Sequence, residues 1–157
     1  MSDRIKQRVV LYTDGACLGN PGAGGWAFVL LHEASGRTKE GSGGEAGTTN
    51  NRMELLAVVM GLEALKFPCA LDIVSDSKYV ISGLEARGSY AAFGYQKSAS
   101  SKKMIANVDL WRRLNAAAKG HEVTGRWTRG HVGNSMNERC DWLAMEAARA
   151  VTASGTA

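Results

Sequence analysis

The stretch NNRMELLAVVMGLEALKFPCALDIVSD, residues 50–76, determines the fold class that we predict. Apolar residues cover the segment 50–66 nearly all round, so we expect a buried helix there. Pro68 ends this helix because proline lacks an amide hydrogen. Residues 70–76 then form a short apolar strand that ends in an aspartate. A strand that follows a long buried helix is typical of a crossover connection, which places it parallel to a neighbouring strand.

Upstream of the crossover, the sequence predicts an antiparallel meander. Residues 8–13 and 26–32 are apolar and predict two strands, and residues 36–47 predict an exposed third strand. Downstream, helices are expected from Ser77, over 107–119 and from about Asn134, with a strand over 122–129. Strands followed by alternating helices and strands indicate a mixed sheet with helices packed against it.

Length and composition restrict the class of protein. A chain of 157 residues predicts a single domain, 1–157, with a core over about 8–149 and a flexible tail over 150–157. No apolar run approaches the roughly 20 residues that span a bilayer, and the N-terminus lacks the apolar segment of a secretory signal. The three cysteines form no CxxC pair, so we expect free thiols and a cytoplasmic location.

Positive charge is concentrated in one part of the chain. The net charge is +4, but residues 76–131 hold ten Lys or Arg against four Asp or Glu and so carry +6. Such a basic segment is typical of a protein that binds a polyanion. A solvated basic surface explains the same count equally well.

Five glycines follow the first predicted strand in VVLYTDGACLGNPGAGGW, residues 9–26. The G-x-G-x-x-A spacing within residues 22–27 resembles a dinucleotide fingerprint, but a strand pattern follows where that motif needs a helix. A mononucleotide loop is excluded because Gly25 and Trp26 occupy the positions of its Lys and Ser/Thr. We therefore interpret GNPGAGG, residues 19–25, as a hairpin loop.

Four carboxylates are candidate metal-binding or catalytic residues. Asp14 follows the first strand, Asp76 ends the strand after the crossover, Glu54 lies near the start of the buried helix, and Asp141 lies early in the last helix. Each has a structural explanation as well. Asp14 could bond within its own turn, Asp76 could cap the next helix, Glu54 could form a capping box with Asn51, and Asp141 could favour a helix N-terminus.

Topology gives these carboxylates a shared explanation. If the two strands are neighbours, Asp14 and Asp76 project from the same sheet edge, and Glu54 lies on the helix that joins the strands. Converging carboxylates repel unless they are protonated or bind cations, and hard divalent cations prefer oxygen ligands. Two such ions can support phosphodiester cleavage. His131, in a glycine-flanked loop, could handle a proton beside such a site, whereas no paired Cys or His spacing indicates zinc.

Six segments together resemble a bacterial type I ribonuclease H. They are YTDGACLGNPGAGGW, TTNNRMELLAVVMGLEAL, SDSKYV, NVDLW, RGHVGN and NERCDWLA, and the resemblance runs in this order from Val9 to about Ala148. The resemblance implies the α/β ribonuclease H-like fold. That fold has a five-stranded mixed sheet, three antiparallel strands followed by two parallel ones, with helices on both faces.

The resemblance also implies an activity and a site. The expected enzyme is an endonuclease that hydrolyses the RNA strand of RNA–DNA hybrids with two Mg²⁺ ions, or with Mn²⁺ in their place, and leaves 3′-hydroxyl and 5′-phosphate ends. The implied metal ligands are Asp14, Glu54, Asp76 and Asp141, and His131 would assist proton transfer or product release. Nothing in the sequence requires a dimer, an obligate protein partner or a membrane, so we expect a monomer.

Substrate contacts follow from the same resemblance. They are Cys17, Asn20, Asn50 and Asn51 in the minor groove, Thr49 and Asn107 on a phosphate of the DNA strand, and Lys78 on the RNA strand. Lys78 stands where family members often carry glutamine.

The segment 87–106 departs from the family pattern. Arg87 stands about where a DNA-contacting tryptophan is expected, and Tyr90, Phe93 and Tyr95 could replace other tryptophans as stacking groups. Two alternatives therefore stay open: a DNA nuclease of the same fold, and a hybrid-binding module without catalysis.

Overall fold

Three antiparallel strands open the chain, namely β1 (Gln7–Leu18), β2 (Gly22–His32) and β3 (Thr38–Thr48). Two further strands, β4 (Cys69–Ser75) and β5 (Glu122–Trp127), join in parallel, which gives the sheet order β3-β2-β1-β4-β5. The computed structural model describes residues 6–98, 100–129 and 135–154.

Four helices pack on the two faces of this sheet. They are α1 (Asn50–Glu63), α2 (Lys78–Ala92), α3 (Val108–Ala118) and α4 (Ser135–Ser154). Side chains of β2 alternate between the faces: Phe28 and Leu30 join the core around α1, whereas Ala27 and Val29 join the core around α4. The predicted mixed sheet with helices on both faces is therefore confirmed. None of the described helices combines the length and apolar character of a membrane span.

Helix α1 is the crossover that the sequence predicts. Its N-cap is Thr49, whose side-chain oxygen accepts a hydrogen bond from the Arg52 amide over 3.2 Å. Nine of its fourteen residues are buried, so the helix lies inside the domain. It connects the meander to β4, which pairs with β1 in parallel register from Gln7 opposite Cys69 to Tyr12 opposite Val74.

Strands β1 and β2 are longer than predicted. They pair from Val9 opposite His32 to Leu18 opposite Ala23, so Asp14 lies within β1 and only residues 19–21 connect the two strands. The predicted hairpin is therefore present, but its loop is shorter than residues 19–25, because residues 22–25 belong to β2. Glycine lets helix α4 approach the sheet, since a Cβ at Gly25 would overlap the backbone of Ala144.

Other boundaries differ by a few residues. Helix α2 extends to Ala92 and so includes the beginning of the segment that departs from the family pattern. Helix α4 extends to Ser154, within the part for which a flexible tail is predicted. The domain limits themselves stay a prediction.

Helices α2 and α3 meet at a fully buried tryptophan. Trp111 packs edge-on against Tyr90, with ring centroids 5.2 Å apart, and its Nε1 donates to the hydroxyl of Tyr79 over 3.2 Å. The ring also lies directly against Gly83 of α2. The packing of Trp111 against α2 therefore requires a small residue at position 83.

We predict opposite effects for alanine at two glycines of α2. Gly83→Ala should lower the free energy of unfolding by about 1–3 kcal/mol, because its Cβ would overlap the Trp111 ring. Gly88→Ala has open space and should raise it by up to about 1 kcal/mol through helix propensity. Urea unfolding of both variants measures the difference, and equal effects would contradict the tight contact.

We also predict a pH-dependent contribution of His121 to stability. Burial, and secondly the charge of Lys6, holds the pKa of His121 below its usual value, and its Nδ1 accepts a hydrogen bond from the Cys69 amide over 3.0 Å. The unfolded chain therefore binds more protons as the pH falls through about 6.5, which destabilises the folded state. From pH 7.5 to 5.5, the wild type should lose more unfolding free energy than His121→Leu. Parallel curves would exclude this contribution.

Candidate metal centre and nucleic-acid interface

Three carboxylates converge where β1 and β4 separate. The parallel pairing of these strands stops at Tyr12 and Val74, so Asp14 and Asp76 both lie just beyond it. Glu54 reaches the same place from the second turn of α1. One side-chain oxygen of each residue lies within 4.8 Å of the others, which makes the group a possible metal site.

The main-chain amide of Gly15 links two of these carboxylates. It donates to Asp14 Oδ1 over 2.9 Å and to Glu54 Oε1 over 3.0 Å. Asp14 and Glu54 are 4% and 9% exposed, so water contributes little to their solvation. Asp76 is half-buried and forms the more accessible side of the cluster.

Burial and repulsion act most strongly on Glu54. Burial raises the pKa of this carboxyl far above its ordinary value, and the charges of Asp14 and Asp76 raise it further. Its Oε2 atom is buried and has no hydrogen-bond partner among the residues that the structure describes. A divalent cation would supply both the missing partner and the compensating charge, so these side chains fit a hard metal ion.

The structural explanations for two of these residues are wrong. The N-cap of α1 is Thr49, and Glu54 bonds to Gly15 rather than to the helix start. The N-cap of α2 is Ser77, whose Oγ accepts from the Val80 amide over 3.2 Å. Neither Glu54 nor Asp76 is therefore required to cap a helix.

Two predicted site residues are not part of this cluster. Asp141 lies exposed on α4 and is not a member of the group of three. His131 lies outside the described residues. The roles predicted for both residues stay predictions.

The predicted minor-groove residues lie around the β1–β2 turn and the start of α1. Asn20 Oδ1 accepts from the Asn50 amide over 3.2 Å, which ties the turn to the helix. The thiol of Cys17 donates to the carbonyls of Gly19 and Thr48, with Sγ–O distances of 2.6 and 3.3 Å. Asn51 is exposed in the first turn of α1 beside Asn50. The polar groups thus form one surface next to Asp14.

The sequence analysis did not identify Arg52, which connects Thr49 and Asn107, the two residues predicted to bind a DNA phosphate. Arg52 forms two hydrogen bonds with Asp109, of 3.0 and 2.7 Å, and a third with Glu45 of 2.9 Å. It also donates to Asn107 Oδ1 over 3.4 Å. The guanidinium lowers the pKa of Asp109 through its hydrogen bond. Arg52 therefore fixes Asn107 relative to Thr49, the N-cap of the same helix.

The segment 87–106 contains fewer exposed aromatic rings than predicted. Tyr90 packs against Trp111, and the hydroxyl of Tyr95 accepts a hydrogen bond from Asn115 over 3.0 Å. Arg87 is also engaged, since it donates to Asn115 over 2.9 Å. Of the three predicted stacking groups, only Phe93 is well exposed, at 60%.

Comparison with known proteins agrees with this geometry. The family model described as RNase H matches residues 6–149. A ribonuclease H of Phenylobacterium zucineum (strain HLK1) is 49% identical over 154 residues, which cover 94% of this chain and 97% of that protein. A ribonuclease HI of Caulobacter vibrioides (strain ATCC 19089 / CIP 103742 / CB 15) is 47% identical over 144 residues, which cover 90% and 93% of the two chains.

Solved structures show the same architecture. LC9-RNase H1, described as a type 1 RNase H with the type 2 active-site motif, superposes with a TM-score of 0.80 and 29% identity, over 95% of this chain and 75% of that one. RNase H1 from the halophilic archaeon Halobacterium salinarum NRC-1 gives a TM-score of 0.63 and 28% identity, over 89% and 96% of the two chains. The chain therefore belongs to the ribonuclease H family of enzymes.

Proposed function

We propose that this protein is an endoribonuclease that hydrolyses the RNA strand of RNA–DNA hybrids and leaves 3′-hydroxyl and 5′-phosphate ends. The observation that carries the proposal is the cluster of Asp14, Glu54 and Asp76 at the edge where β1 and β4 separate. Three carboxylates in this arrangement favour the binding of cations, and phosphodiester hydrolysis is a reaction that such cations support.

The cofactor in this proposal is a pair of Mg²⁺ ions, for which Mn²⁺ could substitute. Asp14, Glu54 and Asp76 would hold them, with Asp141 as a fourth ligand from α4. The chemistry that such ions supply is activation of a water and stabilisation of the departing oxygen. His131 would assist by transferring a proton or by releasing the product.

The polar surface beside Asp14 would read the hybrid. Discrimination between RNA and DNA needs groups at the 2′-hydroxyl, which is reached across the minor groove. Cys17, Asn20, Asn50 and Asn51 offer thiol, amide and main-chain groups there. In this proposal Thr49 and Asn107 hold a phosphate of the DNA strand, and Arg52 keeps Asn107 in place.

The cellular setting is a proposal too. The three cysteines are free, and Cys69 and Cys140 are buried. Reduced thiols of this kind suit the cytoplasm. We place the protein there as a monomer formed by a single domain over residues 1–157, without an obligate protein partner.

Cleavage of an end-labelled RNA strand annealed to DNA tests the function. The RNA of the hybrid should be cut with Mg²⁺ and left intact with chelator, while duplex DNA, duplex RNA and single strands stay intact. Cleavage of DNA would instead indicate a DNA nuclease of this fold. Tight hybrid binding without cleavage would indicate a binding module.

Asp14→Asn should lower the cleavage rate by roughly a thousandfold, equivalent to about 4 kcal/mol, because the cluster loses a metal ligand. Asp72→Asn is the matched control, since Asp72 lies on β4 outside the cluster and pairs with Arg126 over 2.6 Å. Single-turnover rates with Mg²⁺ measure both. Similar losses in the two variants would speak against a specific role for Asp14.

Charge reversal at Lys102 and Lys103 should weaken hybrid binding and reduce its salt dependence. Each lost phosphate contact removes about one unit from the log–log slope of affinity against salt, so the double Lys→Glu variant should lose about two units. Lys39→Glu with Lys66→Glu is the matched control, because these exposed lysines lie near the start of β3 and the end of α1, at the opposite end of the parallel strands. Fluorescence anisotropy in chelator gives the slopes, and an unchanged slope would remove Lys102 and Lys103 from the interface.

A further inference from the structure

Trp127 lies where the parallel pairing of β4 and β5 ends. The last paired residues are Ser75 and Trp127, so the main chain of Asp76 lies one residue beyond the pairing. The indole Nε1 of Trp127 donates to the carbonyl oxygen of Asp76 over 3.1 Å. The Trp127 side chain thus extends the hydrogen bonding between β4 and β5 as far as Asp76, whose carboxylate belongs to the cluster.

The ring of Trp127 also holds a cation. Lys78 Nζ lies 5.2 Å from the ring centroid, a distance typical of a cation–π contact. Lys78 is the first residue of α2 and is exposed, two residues after Asp76. Among the described residues, no carboxylate lies within salt-bridge distance of its ammonium. The contact with Trp127 therefore orients the charge without neutralising it.

A second cation–π pair in this chain, Arg139 with Trp142, differs because its positive charge is compensated by a carboxylate. Arg139 lies over the ring of Trp142 at the same distance, 5.2 Å. Its guanidinium also donates to both carboxylate oxygens of Glu40, over 3.0 and 2.7 Å, so its charge is compensated within the protein. The ammonium of Lys78 has no such partner in the described part of the chain, which leaves it available to an external anion.

We infer that Trp127 is the positioning residue for both Asp76 and Lys78, and that Lys78, which the family resemblance places on the RNA strand, binds there a phosphate adjacent to the cleaved one. The inference rests on the proposed function, because the substrate strand has to pass the carboxylate cluster. That strand carries one negative charge per nucleotide, and Lys78 follows Asp76 by two residues, so a scissile phosphate at the cluster would bring a neighbouring phosphate towards the Lys78 ammonium. An ammonium suits a phosphate since it has three donors, a compact charge and no acceptor.

Removal of the charge tests the phosphate contact. Lys78→Met should reduce the salt slope of hybrid binding by about one unit and weaken binding several-fold at low salt, whereas Lys78→Arg should keep the wild-type slope. Lys39→Met, an exposed lysine on β3, is the matched control and should bind as the wild type does. All titrations contain chelator, so cleavage does not contribute. A wild-type slope in Lys78→Met would overturn the inference.

Hybrids with single uncharged linkages locate the phosphate. Each hybrid carries one methylphosphonate in the RNA strand or in the DNA strand. The wild type should lose affinity at one RNA linkage beside the cleavage site, and Lys78→Met should be insensitive to that linkage. If the two proteins lose the same affinity at every RNA linkage, Lys78 does not bind an RNA phosphate.

Variants of Trp127 separate its two contacts. Trp127→Phe keeps a ring for Lys78 but loses the donor to Asp76, so it should keep the salt slope and lower kcat by at least about threefold. Trp127→Leu loses both contacts and should also share the linkage insensitivity of Lys78→Met. Trp142→Leu, at the other exposed tryptophan, is the matched control and should keep the wild-type slope and linkage sensitivity.

Urea unfolding separates positioning from a general loss of structure. If Trp127→Leu is folded and retains the sensitivity of the wild type to that RNA linkage, Trp127 does not position Lys78. If the wild type itself fails to cut a hybrid, the proposed function fails, and this is seen before any variant is compared. Normal cleavage by the wild type with an unchanged phosphate profile in Lys78→Met overturns only the present inference.

Discussion

The close approach of α1 to the backbone of Gly15 is the constraint on which the site depends. A Cβ at Gly15 would lie 2.6 Å from the carbonyl carbon of Met53 and 2.9 Å from the Cα of Glu54, so a side chain there would push the helix away. At the observed distance the Gly15 amide donates to both Asp14 and Glu54. One main-chain donor thus offsets part of the repulsion between two buried carboxylates, and the remainder favours a cation.

The same use of glycine explains which part of the fold could not be predicted. The crossover helix and the parallel strand after it are visible in the sequence because apolar periodicity is a local property. The glycines between 15 and 25 follow the local rule for turns, yet most of them lie in β1 and β2. They are needed where a helix rests on the strand backbone, as at Gly25 against α4, and that requirement comes from residues more than a hundred positions away.

The candidate site likewise has residues that could be predicted from the sequence and residues that could not. Asp14, Glu54 and Asp76 could be brought together from strand ends and one rule of topology, because a parallel neighbour places both strand ends at one edge. Arg52 and Trp127 could not be found in this way, since their partners Asp109 and Asp76 lie 57 and 51 residues away in sequence. Tyr90 and Tyr95, which are expected to stack on substrate, pack against the core instead, and Tyr90 lies directly against the ring of Trp111.

The basic residues show most clearly what the structure adds to the composition of the sequence. The sequence shows ten cations between residues 76 and 131, but several of them are committed within the protein. Arg113 pairs with Glu63, Arg126 pairs with Asp72, and Arg87 bonds to Asn115. In the described part of the chain, the lysines of the 93–106 segment and Lys78 have no carboxylate partner. These lysines, on that segment and beside the carboxylate cluster, are therefore among the positive charges that remain for a polyanion.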